Sequence, residues 1–313
     1  MSQNISSIIY AGLDVAKASL ALCLQGTCHS IKNNPAGYRA MLKLFQPFAH
    51  LCVVCEATGG YEKAAVTALQ QAGVPVAVVE PGRVRHFACA QGRRAKSDPI
   101  DAAVLAHYGQ AMKPSPTTAL SAAQQRLRHC STRRQQLVQM TIDERGRAEH
   151  YADAISRRQS QQLLRLLEKQ IQQCEQTIAS LLEEDQELLA RAQRLDQIPG
   201  VGPVVTATVL AEMPELGKVS DNAAAALAGV APYDRDSGQQ QGKRSVSGGR
   251  KTVRCVLYMA ALSAIKHDRI LRTFYARLRE AGKKPKVALT AVMRKLVVLM
   301  NRLLKNPHFQ LAT

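Results

Sequence analysis

The sequence predicts an α/β domain followed by a mostly helical remainder, and three observations carry that expectation. SSIIYAGLDVAKASLALCLQG reads as a strand, a turn and a second strand, and HLCVVCEA and VPVAVVE are two more short, Val-rich apolar runs. Between the last two lies YEKAAVTALQQAG, with apolar positions at helical spacing and a Gly where a C-cap belongs. Beyond KPSPTT, near residue 115, the composition changes to Gln, Arg and Leu, and helical spacing takes over.

Length and charge bound the partners. The 313 residues suffice for two domains with real cores. Lys and Arg number 42 against 24 Asp and Glu, a formal charge of +18. From Gln239 to Thr313 there are 17 Lys or Arg and two acids, Asp268 and Glu280, so +15 of the +18 lies in the last quarter of the chain. A mild excess would serve solubility, but one this concentrated points to a polyanion such as nucleic acid. The eight cysteines have no zinc-site spacing with His, and Cys52 and Cys55 fall inside a strand-like run, as buried free thiols would. MSQNISSIIY has no basic leader or cleavage site, and no apolar run reaches membrane length. The expectation is a cytoplasmic, nucleoid-associated protein in a reducing compartment.

In the middle of the chain a heptad runs from Leu164, with Ile171 and Ile178 at one seam position and Leu167, Cys174, Leu181 and Leu188 at the other. It reads either as an amphipathic helix packed on its own domain or as a protruding hairpin that pairs with a second subunit. Asp185 interrupts the seam. Further on, Ile198-Pro199-Gly200-Val201-Gly202 before an apolar helix has the form of a helix-hairpin-helix, whose glycines (Gly200, Gly202) bring backbone N–H groups close to a phosphate. The same pattern also describes a plain tight turn.

Four carboxylates carry the chemistry. Asp14 and Glu56 lie in apolar strand-like runs, where an ionised acid needs a partner charge or a metal. Both sit near a strand's C-terminal end, where α/β sheets gather ligands. Asp98 and Asp101 share one face of a helix start, with Pro99 in the first turn. Four hard oxygen ligands suit one or two Mg²⁺ ions that polarise a scissile phosphate. Each acid also has a plainer reading: Asp98 as an N-cap, Asp101 as a charge favourable to the helix dipole, Asp14 at a turn, Glu56 paired with an Arg.

These residues resemble a family. Asp14 in G-L-D-V-A-K, Glu56 in E-A-T-G-G-Y, and Asp98 and Asp101 in K-S-D-P-I-D-A are similar to the DEDD motif of the IS one-ten insertion-sequence transposases, relatives of the Piv DNA invertase. The resemblance continues through I-P-G-V-G-P, L-A-G-V-A-P-Y-D-R-D-S-G and G-G-R-K-T-V-R-C-V-L-Y-M-A-A, and so covers nearly the whole chain. It implies a RuvC-like, RNase H-type catalytic domain over 1–118, a helical coiled-coil segment over 119–194, and a mostly helical transposase domain over 195–313. It further implies Mg²⁺ on the four acids, a serine matching Ser237 that joins covalently to DNA, and a homo-oligomer whose active site is shared between subunits. The family's sites are selected by a bridge RNA that pairs with both donor and target DNA.

The physical case for Ser237 is thinner, because a neutral hydroxyl needs a base or a metal to become a nucleophile. Asp234 and Asp236 are candidates for that base, and by residue type alone Ser245 and Ser247 are equal candidates for the nucleophile. Nucleic-acid contacts are expected from Arg83, Arg85, Arg93, Arg94 and Lys96, which lead into the Asp98 helix, and from Lys243, Arg244, Arg250 and Lys251. Five Phe, eight Tyr and no Trp leave little for base stacking, so the chain should grip backbones and leave sequence reading to something else, in agreement with the bridge RNA that the resemblance implies. The leading expectation is a DNA recombinase with a covalent serine intermediate. Its competitor is a RuvC-like structure-specific nuclease that uses water.

Overall fold

The computed structural model describes residues 8–92, 97–233 and 244–311. The chain divides into two compact units, Met1–Ala119 and Leu120–Thr313.

The first unit is built on a five-stranded mixed sheet. Its elements are β1 (Ile9–Val15), β2 (Ser19–Leu24), β3 (Thr27–Lys32), α1 (Pro35–Phe45), β4 (Leu51–Glu56), α2 (Glu62–Gln71), β5 (Val76–Val79), α3 (Pro81–Ala90) and α4 (Asp98–Met112). The strand order is β3-β2-β1-β4-β5. β1, β2 and β3 are antiparallel neighbours, while β4 and β5 join β1 in parallel. Connection lengths dictate this arrangement, since two residues suffice for a hairpin and a parallel return needs a helix. Gln25 (φ 49°) and Gly26 (φ 83°) make the tight turn between β2 and β3.

Side-chain alternation sorts the two faces of the sheet. Ala11, Leu13, Val15, Val53 and Cys55 pack in one cluster with Tyr38, Met41 and Phe45 of α1 and Ala65, Val66 and Leu69 of α2. Tyr10, Cys52, Val54, Ala77 and Val79 pack on the other with Val84 of α3 and Val104, Leu105 and Tyr108 of α4. The sequence signals for β1, β2, β4, β5, α2 and α4 hold. The strand β3, TCHSIK, carries no apolar run because it is a sheet edge with mostly exposed side chains.

The second unit is helical: α5 (Ala122–Ala148), α6 (Ala154–Glu184), α7 (Gln186–Leu195), α8 (Pro203–Glu212), α9 (Asp221–Leu227), a two-residue ladder of β6 (Pro232–Tyr233) and β7 (Ser245–Val246), then α10 (Lys251–His267), α11 (Arg269–Glu280) and α12 (Pro285–Lys305). Ser121 opens α5 with a reciprocal capping box to Gln124. α5 and α6 form an antiparallel hairpin, bridged by Arg126–Glu184 (2.9 Å), Arg134–Glu175 (2.7 Å) and Arg145–Glu168 (3.0 Å). Of the heptad residues, Leu167, Ile178, Leu181 and Leu188 are buried within this chain. The seam is not one helix: Asp185 turns extended (φ −116°, ψ 109°), ends α6 and accepts the Leu188 N–H at 3.0 Å to open α7. Outward on the hairpin, Met140, Ile142, Ile155, Leu163 and Leu166 remain exposed.

α12 is the spine of the remaining core, through Val292, Leu296, Val297, Met300 and Leu303. Its fully buried Asn301 accepts the Gly217 N–H (2.8 Å) and donates to Val219 O (3.1 Å) and Asp221 Oδ1 (2.9 Å), so its amide is satisfied on both sides. Arg194 of α7 donates to the carbonyls of Leu303, Asn306, Pro307 and Phe309, where the α12 end would otherwise leave acceptors open. Among the described residues no helix is long and apolar enough to cross a membrane.

Candidate active site

Register sets the first two acids. β1 and β4 pair in parallel with Gly12 opposite Val54 and Leu13 opposite Cys55. Continued by one residue, that register puts Asp14 opposite Glu56, neighbours at strand spacing of about 4.8 Å. Both fall on the α3/α4 face, because Asp14 follows Tyr10 and Gly12, and Glu56 follows Cys52 and Val54, at intervals of two. Both are half-buried at the C-terminal ends of their strands. Asp14 Oδ1 accepts the Val15 N–H at 3.0 Å.

Glycines bring the second pair of acids to the same face. A Cβ on Gly12 would lie 1.9 Å from Ala102 O and 2.4 Å from Ala106 N, and one on Gly109 would lie 2.7 Å from the Tyr10 ring. α4 therefore runs antiparallel along β1 in backbone contact. Two strand residues advance about 6.6 Å, close to the rise of four or five helical residues. The sequence of close approaches, Tyr10 with Gly109 and Gly12 with Ala102–Ala106, thus leads toward Asp14 with the first turn of α4. Asp98 and Asp101 stand in that turn, Asp98 exposed and Asp101 half-buried, after Ser97 as N-cap. Ser97, not Asp98, holds the cap position, and it makes no side-chain cap bond.

Asp14, Glu56 and Asp101 each engage a partner in the structure. Among the described residues no three or more His, Cys, Asp or Glu side chains converge closely enough to hold a metal ion. The backbone places the acids on one face without gathering their carboxylates into a ready cage.

One acid that sequence reasoning missed shapes this edge. Glu62, only 8% exposed, accepts from Thr58 N (3.1 Å), Thr58 Oγ1 (3.0 Å) and Gly60 N (2.8 Å). Burial alone would raise its pKa, but those donors outweigh burial and hold the carboxyl below the usual glutamate range. It pins the turn after Glu56, where Gly59 (φ 72°) and Gly60 (φ 117°) take conformations other residues resist. The signal lay in E-A-T-G-G-Y-E, an acid two residues past a glycine pair at a helix start. Burial, with Glu62 and Glu56 adding to it, pushes the Cys55 thiol up to about 12, and because its cross-strand partners are Leu13 and Val78 rather than a second thiol, Cys55 serves as packing.

Of the expected cationic contacts in this unit, Arg83 and Arg85 are exposed on α3; Arg93, Arg94 and Lys96 lie outside the described residues. Ser237, Asp234, Asp236 and Lys243 also lie outside them. The flanks of that stretch are held together in the second unit. Pro232 and Tyr233 pair with Val246 and Ser245, and Arg250 N donates to Leu227 O at 2.8 Å. A Cβ on Gly249 would lie 2.2 Å from Gly229 N, so the L-A-G-V and S-G-G-R segments meet backbone to backbone. Arg250, one of the expected nucleic-acid contacts, is half-buried and pairs with Glu215 at 2.7 Å. Lys251 and Arg244 are exposed, and Arg244 has a partner of its own.

The two turn glycines differ in kind. Gly200 (φ 87°) has α10 against it, with Ala264 N 2.6 Å and Ala260 O 2.8 Å from a Cβ position, so helix packing alone accounts for it. Gly202 faces open space and caps α8 without a side-chain bond. Beside this turn a cleft of about 650 Å³ is lined by Ile198, Arg269, Phe274, Arg294, Lys295 and Arg302 among others. The Lys295 ammonium sits 4.6 Å from the Phe274 ring centre. Sequence reasoning found the basic tail but not this cleft, which residues from three elements assemble.

Residues 11–156 match the DEDD transposase model of the IS110 type, described as a transposase, and residues 192–276 match the transposase model of the IS116/IS110/IS902 family. The chain is 28% identical over 304 residues to the pilin gene-inverting protein of Moraxella bovis, covering 93% of this chain and 94% of the relative. The Moraxella lacunata pilin gene-inverting protein is 28% identical over 303 residues, with the same coverage. An insertion element IS116 uncharacterized 44.8 kDa protein of Streptomyces clavuligerus is 30% identical over 118 residues, 37% of this chain and 30% of the relative. Two family models in chain order and relatives matched almost end to end place this chain in the IS110 family of insertion-sequence transposases, enzymes of DNA transposition and site-specific recombination.

Proposed function

We propose that the chain is an RNA-guided DNA recombinase that cuts strands at the edge carrying Asp14, Glu56, Asp98 and Asp101, holds the end on Ser237, and rejoins it to a new partner. The observation that carries this reading is the register of Asp14 against Glu56 on the α4 face, with the helix start bearing Asp98 and Asp101 leading to the same strand ends. The strand order β3-β2-β1-β4-β5, antiparallel then parallel, supports a RuvC-like, RNase H-type domain over about 1–118.

The donor set is all carboxylate oxygen, which fits a hard divalent cation such as Mg²⁺ and suits neither zinc nor copper. Asp14, Glu56, Asp98 and Asp101 would hold one or two such ions, which supply charge neutralisation on the scissile phosphate. The carboxylates do not converge among the described residues, so holding such an ion would require their side chains to turn toward one another. Glu62, bonded to Thr58 and Gly60, would keep the turn beyond Glu56 fixed.

In strand transfer the Ser237 Oγ forms a bond to phosphorus as the bridging P–O bond of the strand breaks; the serine proton passes to a carboxylate such as Asp234 or Asp236, and the released strand oxygen takes a proton and leaves as a hydroxyl. Rejoining reverses these changes with a different strand hydroxyl. DNA backbones lie along the basic C-terminal region, and the paucity of aromatics leaves site choice to a bridge RNA. Exposed Met140, Ile142, Ile155, Leu163 and Leu166 on the α5/α6 hairpin suit pairing with a second copy, so that acids and serine come from different subunits.

The test is incubation of the protein with Mg²⁺, the transcript flanking its gene and labelled element-end DNA, followed by denaturing electrophoresis. A protein–DNA adduct that vanishes in Ser237→Ala is expected. Cut DNA without an adduct would replace this reading with that of a water-using nuclease.

A further inference from the structure

Outside the acids, one pair of reactive groups sits against the same helix. In the β2/β3 hairpin Leu24 pairs with Thr27 across the two-residue turn, and Cys23 pairs with Cys28 next along the ladder. In such a hairpin the pair flanking the turn exchanges the hydrogen bonds and the following pair does not; that second position is the one where opposed Cα atoms approach to about 4.5 Å and side chains lie closest. Disulfides need Cα separations of about 4.4–6.8 Å. Both thiols are free, Cys23 buried and Cys28 exposed. Burial, and after it hydrogen bonding with Cys28, push the Cys23 thiol up to about 11.

The pair lies under the start of α4. Cys23 is the β2 partner of Gly12, the residue on which the α4 backbone rests. The Cys28 thiol donates to Pro99 O at 3.7 Å, between Asp98 and Asp101.

We propose that Cys23 and Cys28 form a modification site, a dithiol that a hydroperoxide converts to a cross-strand disulfide, loosening the first turn of α4. The exposed Cys28 sulfur takes the peroxide oxygen, giving a sulfenic acid and one water. The Cys23 sulfur then attacks it, the S–S bond forms and a second water leaves, so two thiols and one hydrogen peroxide become one disulfide and two waters. Disulfide formation removes the Cys28 S–H that holds Pro99 O and draws Cys28 toward Cys23, and the turn bearing Asp98 and Asp101 loses its tie to the sheet edge.

The test uses the full-length protein, hydrogen peroxide and peptide mapping. Expected is a Cys23–Cys28 linkage, seen as the loss of two hydrogens, formed before any change at exposed Cys89 or Cys255, reversed by dithiothreitol and absent in Cys28→Ser. Hydrogen exchange of the amides of residues 100–105 should rise at least several-fold on oxidation and return on reduction. Oxidation of Cys28 to sulfinic acid without linkage would overturn the dithiol site, and linkage with unchanged exchange would overturn the coupling to α4. Neither readout depends on strand transfer, so the outcome stands apart from that of the recombinase reading.

Discussion

The two units solve one problem, bringing a helix into backbone contact with its neighbour, for different ends. In the first, Gly12 removes a side chain so that α4 rests on β1, and the acids at the helix start and strand ends share a face. In the second, Gly200 removes a side chain so that the I-P-G-V-G turn rests on α10, and no acid pair results. A sheet supplies fixed register, so residues far apart in sequence meet at set positions. A helical bundle supplies faces, and here it forms a basic cleft and holds together the two flanks of one connecting stretch. Chemistry that needs several carboxylates at one point belongs on the first kind of scaffold.

The contrast breaks most sharply by exchanging functions. On the proposed reading Asp14→Asn should lower strand transfer by more than about 100-fold, because it would remove a charge that acts at the scissile phosphate. Its affinity for DNA in a filter-binding titration should stay within about threefold. Lys295→Glu should do the reverse, weakening binding and reducing the salt slope by about one or two counterions. Equal loss of binding in Asp14→Asn would mean that the acids hold the sheet together.

Next come the paired glycines. Gly12→Ala and Gly200→Ala should each destabilise their unit by about 1–3 kcal/mol through overpacking against backbone, with the left-handed φ of Gly200 adding to its cost. Calorimetry should show the lower-melting transition belonging to the substituted unit. A single shifted transition in both variants would show that the units melt as one.

Smaller again is the pH response of the first unit. The folded-state pKa of Glu62 lies below the ordinary value of 4.5, so its contribution to stability is present above that value and is lost as pH falls through the folded pKa. Glu62→Gln should flatten the acid limb of the stability curve below about pH 4.5 while altering the neutral value less. An unchanged acid limb would assign the pH dependence to other carboxylates. The smallest effect is expected from Arg145→Ala on the α5/α6 hairpin: its pair with Glu168 is more than half exposed at both ends, and such pairs contribute less than about 1 kcal/mol. A larger loss in urea titration would mean that this stretch is covered in a larger assembly.

Much of the fold was legible in the residues. Short, Val-rich apolar runs marked four of the five strands, and the Pro99 first turn and the Asp98–Asp101 spacing marked α4. The edge strand β3 was not legible, because a strand with one neighbour and little burial carries no apolar signature. The heptad was readable to Leu181, but Asp185 proved to be both the end of one helix and the cap of the next. Arg250 carries a contact that no local pattern announces, its pairing with Glu215, 35 residues away.

The sequence by itself determined which residues are chemically out of place, acids in apolar strands and cations massed in the last quarter, and its motifs determined the family. Those properties are local, written in residue type and spacing. Tertiary structure alone decided that the β1/β4 register carries Asp14 alongside Glu56, that Gly12 seats α4, and that Pro99 of α4 comes to rest on Cys28 of the β2/β3 hairpin. Each depends on strand register or helix approach, set by burying two faces of one sheet at once, a condition no single segment contains.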